Sequence, residues 1–408
     1  MSDLESEIPN GWVALPLGDI CSFRAGSAFK RHLQGRSAGD VPFIKVSDMN
    51  HPLNGKRLVA ASNWVAHSDL REVKAMPFAK GAVVFAKIGE ALKSNRFRIL
   101  AVPTLIDNNM MAAEALDAVD PEFLYYRLLT AGLPKLSEGS ALPYLRATDL
   151  ARHVVALPPL PEQRAIAEVL GALDDKIEAN RRLVQLLLSH IAQTWRLHFE
   201  CNHAKWPERP IGEVVGIVGG STPRTTVEDF WDGDIAWATP RDLSRLPSAP
   251  LLATERRITK LGLQQISSGL LPRGTVLLSS RAPIGYLAIA EIPLAVNQGF
   301  IALVPGEHLP GLYLWQWLSH HLDEILSRAN GTTFLEVSKA NFRPMPISLP
   351  PVELVETWLE PTEPMYEAIV GREIESNALG QLRDALLPKL LSGELRLRDA
   401  ETLVGEAV

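Results

Sequence analysis

Of the residue types that carry out chemistry, histidine and cysteine are sparse here, with 10 and 2 in 408 residues. Cys21 and Cys201 each stand alone, so neither a disulfide framework nor a Cys-x-x-Cys metal knuckle can be assembled, and both are expected as reduced thiols. His320 and His321 are adjacent, but no pair of histidines four apart on a helix brackets a glutamate, which removes the zinc-hydrolase pattern. His321 with Asp323 and Glu324 reads either as a catalytic cluster or as a solvated helix end, and the second is the expectation. Asp174-Asp175 reads either as a metal pair or as a charged outer helix face, and again the second is expected. No Gly-x-x-x-x-Gly-Lys-Ser/Thr loop is present to cradle phosphates, and Asn108-Asn109 lacks the Pro-Pro that would make it a methyltransferase strand end. No catalytic residue and no metal site is therefore expected, which leaves binding.

The scaffold for such binding is written twice. Trp12, Pro16, Gly18, Gly26 and Ser27 recur as Trp206, Pro210, Gly212, Gly220 and Ser221, with Asp19 answered by Glu213. Gly39-Asp40-Val41 recurs as Gly233-Asp234-Ile235, Phe43 as Trp237, Asp48 as Asp242, and Lys80-Gly81 as Arg273-Gly274. The match runs on through Gly139-Ser140 against Gly331-Thr332 to Leu157-Pro158-Pro159 against Leu349-Pro350-Pro351. Short apolar runs such as Gly81 to Ile88 and Thr275 to Ser280 read as strands, and Phe123 to Leu129 and Tyr313 to Ser319 as helices, so each copy is α+β.

A different texture follows each copy. Ile166, Leu170, Leu173, Ile177, Asn180, Val184, Leu187 and Ile191 alternate steps of four and three, a heptad seam on a helix of about 38 residues that would be roughly 57 Å long. A second helical segment, from about Pro364 to Leu391, carries Ile374 and Asn377 in the relation of Ile177 and Asn180, then Leu379, Leu382, Leu386 and Leu390. Asn180 and Asn377 are expected on the seam, where a polar residue costs stability but fixes register. The two helices are expected to pair antiparallel; the alternative is that each packs on its own domain. Pro361 and Pro364 are expected to interrupt the onset of the second helix. The resulting division is 1–158, 159–204, 205–351 and 352–408: domain, spacer helix, domain, spacer helix with tail.

Composition agrees with a globular chain: 46% hydrophobic and 22% charged residues exclude a disordered or fibrous class. Asp3, Glu5 and Glu7 open the chain without an apolar stretch, and no run of about 18 apolar residues follows, so no membrane segment and a cytoplasmic location are expected. The net charge of −6 sits in 352–408, where 5 basic residues face 12 acidic ones; 1–158 carries 18 against 16 and 205–351 carries 13 against 13. Two near-neutral domains can bear local basic patches without holding a polyanion tightly by themselves.

Leu157-Pro-Pro-Leu-Pro-Glu-Gln-Arg-Ala-Ile-Ala-Glu-Val-Leu170, followed by Leu173-Asp-Asp-Lys-Ile-Glu-Ala-Asn180, resembles the central region of type I restriction-modification specificity subunits, the HsdS family. Leu382-Arg-Asp-Ala-Leu-Leu-Pro-Lys-Leu-Leu-Ser-Gly-Glu-Leu395 is similar to the same family near its C-terminus, as are Gly220-Ser-Thr-Pro223, Trp231-Asp-Gly-Asp-Ile-Ala-Trp237 and Asn297-Gln-Gly299. The resemblance implies two target recognition domains separated by two long helices forming an antiparallel coiled coil. It also implies a non-catalytic subunit that reads a bipartite asymmetric sequence in double-stranded DNA. Its implied partners are adenine methyltransferase subunits, two of them, and translocase-nuclease restriction subunits; S-adenosylmethionine and ATP would serve those partners, and this chain would hold no cofactor. Two other readings stay open: a targeting subunit of another modification system, and a tandem-repeat scaffold that binds no DNA.

If the two copies share a fold but read different bases, polar positions that differ between them are the candidate readers. Lys45 against Thr239, Ser47 against Arg241, and Lys87 against Ser279, Ser280 and Arg281 are such positions. Arg24, Lys30, Arg31, Lys93, Arg96 and Arg98, with Thr222, Arg224, Arg245, Lys339 and Arg343, are candidates for contacting the phosphate backbone; each can equally be an exposed surface residue. Asn108, Asn109, Asn297 and Gln298 are expected to cap turns, with a loop near the groove at Gly139-Ser140 and Gly331-Thr332.

Overall fold

The computed structural model describes residues 8–51, 53–139, 142–200, 206–281, 283–330, 335–405 and 407; Cys201, Ser140, Gly331 and Thr332 fall outside these. The chain divides into two units, 1–179 with 375–408, and 180–374.

In the first unit, β1 (Val13–Pro16) pairs antiparallel with β10 (Val154–Leu157), closing the start of the repeat on its end. Between them lie β2 (Cys21–Ala25), β3 (Val41–Ile44), β4 (Arg57–Leu58), β5 (Trp64–Val65), β6 (Val83–Ala86), β7 (Phe97–Leu100), β8 (Leu105–Ile106) and β9 (Met110–Ala115). They form a five-stranded sheet of order β2-β9-β6-β7-β4 and a three-stranded sheet of order β5-β3-β8. All four residues of β6 are buried, because the sheet is covered on both faces and a strand so placed reads as a continuous apolar run. Val83 and Phe85 face the helix Pro121–Thr130 and a core that includes Ile166, Leu170, Leu173, Leu386 and Leu390; Val84 faces Ile44, Met49 and Leu100.

The second unit repeats this order strand for strand. β11 (Glu208–Pro210) pairs with β20 (Pro346–Ser348). β12 (Gly216–Val218), β13 (Trp231–Ala238), β14 (Pro250–Leu251), β15 (Arg256–Ile258), β16 (Val276–Ser279), β17 (Leu287–Ala290), β18 (Leu294–Val296) and β19 (Phe300–Val304) give sheets β12-β19-β16-β17-β14 and β15-β13-β18. The duplicated α+β fold is thus present in three dimensions. Gly26 and Gly220 show why certain residues recur: a Cβ on either would overlap backbone carbonyls, of Ile106 and Asp107 in one unit and Val296 and Asn297 in the other.

Two long helices, Leu160–Trp195 and Val352–Ser392, contribute to both units. In the first unit they run antiparallel, with Arg383 Nη1 2.7 Å from Asp174 Oδ1 and Lys176 Nζ 3.4 Å from Glu375. In the second, Trp358 Nε1 donates to Thr194 Oγ1 at 3.2 Å, and Trp358 packs with Phe199, Ile191 and Val355. The heptad seam of the first helix is buried at Ile166, Leu170, Leu173, Val184 and Ile191, and Asn180 on it is 4% exposed.

Three expectations about the helices change. The second helix begins at Val352 and passes through Pro361 and Pro364 without a break. Each proline removes a backbone hydrogen bond, but the surrounding turns are held by buried Val355, Trp358, Thr362, Tyr366 and Ile369, so tertiary packing overrides the local penalty. Asn377 is exposed and Ile374 is 54% exposed, so neither lies on the seam. The buried positions step from Ile369 to Glu373 and half-buried Ser376; residues 374 and 377 are each one place beyond, about 100° round the helix. Asp174 is not on an outer face: it is buried, accepting from the Tyr126 hydroxyl at 2.6 Å and from Arg383, while Asp175 is the exposed member of the pair.

Candidate nucleic-acid interface

The candidate readers converge because the strands that precede them end on the same edge of each unit. β3 and β8 are parallel, so Lys45 and Asp107 leave their strands side by side, and Lys87 leaves β6 beside them: its N–H donates to the Asn109 carbonyl at 2.9 Å. The carbonyl of Lys87 then accepts from Leu145 N–H at 2.8 Å. In the second unit β13 and β18 are parallel, Thr239 and Asn297 leave together, Ser280 N–H donates to Gly299 O at 2.8 Å, and Val337 N–H donates to Ser280 O at 2.9 Å. The two rims therefore share one backbone framework.

Caps fix that framework. Asp48 accepts from Lys45 N–H at 2.7 Å and from Ser62 N–H at 3.1 Å; Asp242 accepts from Thr239 N–H at 2.7 Å and from Glu255 N–H at 2.8 Å. Asp107 and Asn297 hold the neighbouring turn, accepting from Asn109 N–H and Gly299 N–H at 2.7 and 2.8 Å. Burial pushes the Asp107 carboxyl above its ordinary range, against the pull of the Asn109 N–H and the Lys45 charge.

On the first rim, Lys45 Nζ donates to Gln34 Oε1 at 2.7 Å beside the Phe29 ring, Ser47 is exposed, and Lys87 is half-buried. Arg96 lines a groove of about 370 Å3 with Asn50, Ser94 and Met49. Lys30 pairs with Glu72 at 3.1 Å and Lys93 with Glu90 at 2.8 Å; Arg31 is exposed. Two candidates are engaged elsewhere. Arg24 pairs with Glu114 at 3.1 Å and lies 4.1 Å over Phe78, and Arg98 donates to the carbonyls of Phe97 and Met49.

On the second rim, Thr222 donates to Gln298 at 2.6 Å, Arg224 is exposed, and Arg241 and Arg245 both face Glu255, at 3.6 and 2.9 Å. Arg281 pairs with Glu336 at 3.1 Å, and Lys339 is exposed near Gly219. Four expectations are corrected here. Ser279 and Ser280 are buried, with the Ser279 hydroxyl between Pro283 O and Tyr286 N, so their side chains serve the sheet and not the surface. Thr239 donates its hydroxyl to Asp242 at 2.7 Å and is a cap. Arg343 packs against Gly212 and donates to Ile217 O at 2.9 Å.

The geometry also adds residues that sequence reasoning passed over. Tyr144 bridges to Ile88 and Glu138, and Glu336 to Arg281 and Asn330, so these are equivalent rim positions with different side chains. Tyr144 donates to Glu138 at 2.7 Å and accepts from Arg146 at 2.7 Å. They are polar positions that differ between the copies, the same signal that selected Lys45 and Arg241, and the spacing that sets Gly139-Ser140 against Gly331-Thr332 also pairs them. Among the described residues no cluster of His, Cys, Asp or Glu could hold a metal ion, and Glu324 pairs with Arg328 at 2.7 Å.

The profile of the type I restriction modification DNA specificity domain matches residues 9–188 and again 203–354. The chain belongs to this family. Its role is DNA sequence recognition within a type I restriction-modification system, a targeting role and not a catalytic one. The MjaIX specificity subunit of Methanocaldococcus jannaschii is 37% identical over 153 residues, a match that spans only 36% of this chain and 35% of that one. The HindI specificity subunit of Haemophilus influenzae is 20% identical over 94% of this chain and 99% of its own. The crystal structure of the S subunit of a type I system from M. genitalium shares the fold, with a TM-score of 0.57, 16% identity, and coverage of 93% and 96% of the two chains. No described helix is long and apolar enough to cross a membrane.

Proposed function

We propose that the chain reads a bipartite, asymmetric DNA sequence, one half with the rim of 1–158 and the other with the rim of 205–351. On that target it positions two adenine methyltransferase subunits and, in the restricting assembly, the translocase-nuclease subunits, as a cytoplasmic complex. S-adenosylmethionine and ATP serve those partners and the chain itself uses no cofactor. The observation that carries this reading is the pair of rims, alike in backbone hydrogen bonds and unlike in side chains: Lys45 against Thr239, Ser47 against Arg241, Ile88 against Arg281, Tyr144 against Glu336. A shared fold with altered rim chemistry is what two different half-sites require, since base edges are discriminated by donors and acceptors in the major groove. Lys45, Ser47, Lys87, Arg241 and Arg281 are assigned to base edges and Arg31, Arg96, Arg224 and Lys339 to phosphates, while Lys30, Lys93 and Arg245, each paired with a glutamate, are the weaker phosphate candidates.

The long helices supply the partner surface. Leu183, Leu186, His190, Gln193 and Leu197 are all exposed and spaced three, four, three and four, a second stripe about 100° round from the buried seam. Deleting the gene and mapping methylated adenines in the host genome tests the function. Loss of a single two-part motif is the expected result, and an unchanged methylome in a host that expresses the chain refutes it.

A further inference from the structure

Arg281 and Glu336 face each other as antiparallel bridge partners at the second rim, 3.1 Å apart, both substantially exposed. They are anchored directly to the shared backbone framework, because Ser280 donates to Gly299 and accepts from Val337 on either side of them. An arginine beside a carboxylate gains little from binding a bare phosphate, since one exposed ion pair is merely exchanged for another. A G·C pair in the major groove is different. It offers guanine O6 and N7 as acceptors and the cytosine N4 amino group as a donor, so it satisfies an arginine and a carboxylate together.

We propose that Glu336 is a specificity-determining residue: it withholds Arg281 from phosphates on non-target DNA and releases it at a G·C pair, where Arg281 takes guanine O6 and N7 and Glu336 accepts from cytosine N4. This rests on the DNA-reading function proposed above and names the base pair that one rim position addresses. The near-neutral charge of 205–351, with 13 basic and 13 acidic residues, fits a domain whose cations are masked until the correct sequence is met.

The test uses the full chain purified with its methyltransferase subunits, a duplex carrying the motif mapped from the host methylome, and a random-sequence duplex of equal length. Glu336→Gln is expected to raise affinity for the random duplex several-fold, to steepen the dependence of log affinity on log salt by about one, as for one added phosphate contact, and to reduce motif-over-random preference roughly ten-fold. The methylome of a host carrying this variant should lose its G·C requirement at one position of one half-site. Asp323→Asn, which removes an exposed carboxylate elsewhere in the same unit, should leave the preference unchanged. If Glu336→Gln alters neither random-duplex binding nor the motif while the wild-type complex prefers its motif, the inference is wrong and the reading function stands. If Asp323→Asn matches Glu336→Gln, the effect is net charge and the inference is again wrong. A wild-type complex with no preference for any mapped motif would instead overturn the function itself.

Discussion

At the scale of single residues, the polar groups that matter most to the fold are those joining a reader to its helices. In the first unit Lys56 reaches Tyr126 at 3.0 Å and Glu122 at 2.7 Å, and Tyr126 in turn donates to Asp174, which pairs with Arg383. Asp174→Ala takes away the acceptor of the Tyr126 hydroxyl and the buried partner of Arg383, leaving Arg383 only the exposed Asp384; because Arg383 is itself partly exposed, the expected loss is about 2–3 kcal/mol, read as a lower urea midpoint of the purified chain. Burial alone would raise the Glu122 carboxyl, but Lys56 and Arg57 outweigh it and hold it below its ordinary value. A carboxylate lowered in the folded state adds stability above its unfolded pKa and loses it as pH falls through the folded one. Acid titration of unfolding should therefore show a stability loss below the ordinary glutamate range that is diminished in Glu122→Gln. Neither network was visible in the sequence, where Asp174 looked like half of a solvated acidic pair.

At the scale of elements, the two long helices differ in how openly they state their role. The first carries its buried heptad in plain apolar residues, whereas the seam of the second runs through Thr362, Glu373 and Ser376, so carrying over the relation of Ile177 and Asn180 puts the phase one residue out at Ile374 and Asn377. Glu373 is tied down by a hydrogen bond from Ser248, a partner 125 residues away in the chain. The exposed stripe on the first helix makes its own prediction. Leu186, at 68% exposure, contributes to no buried core, so Leu186→Glu should leave thermal unfolding within about 0.5 kcal/mol of the wild type while abolishing co-purification of the methyltransferase subunits. Retained co-purification would remove the stripe as the docking surface.

At the scale of the whole molecule, duplication makes modular exchange the natural test. Each unit closes its own repeat, β1 on β10 and β11 on β20, so a foreign domain can replace residues 206–350 at the closing strands. The exchange should change one half of the methylated motif and leave the other intact; a change in both halves would show that the rims do not read independently. Single-molecule methylation sequencing of the host distinguishes the outcomes directly.

The duplication, the α+β texture of each copy, the heptad seam of the first helix and the recurrence of Gly26 as Gly220 could be read from the residues alone, because each is a matter of local periodicity or of a repeated position. The tertiary structure alone decided which cations are masked, which serines are buried, and where Asp174 and Asn377 point. Those outcomes depend on partners such as Glu114 for Arg24, Glu336 for Arg281 and Arg383 for Asp174, which lie 90, 55 and 209 residues away along the chain. A residue's spacing from its neighbours carries its helical or strand face; it carries nothing about the distant segment that folding brings against that face.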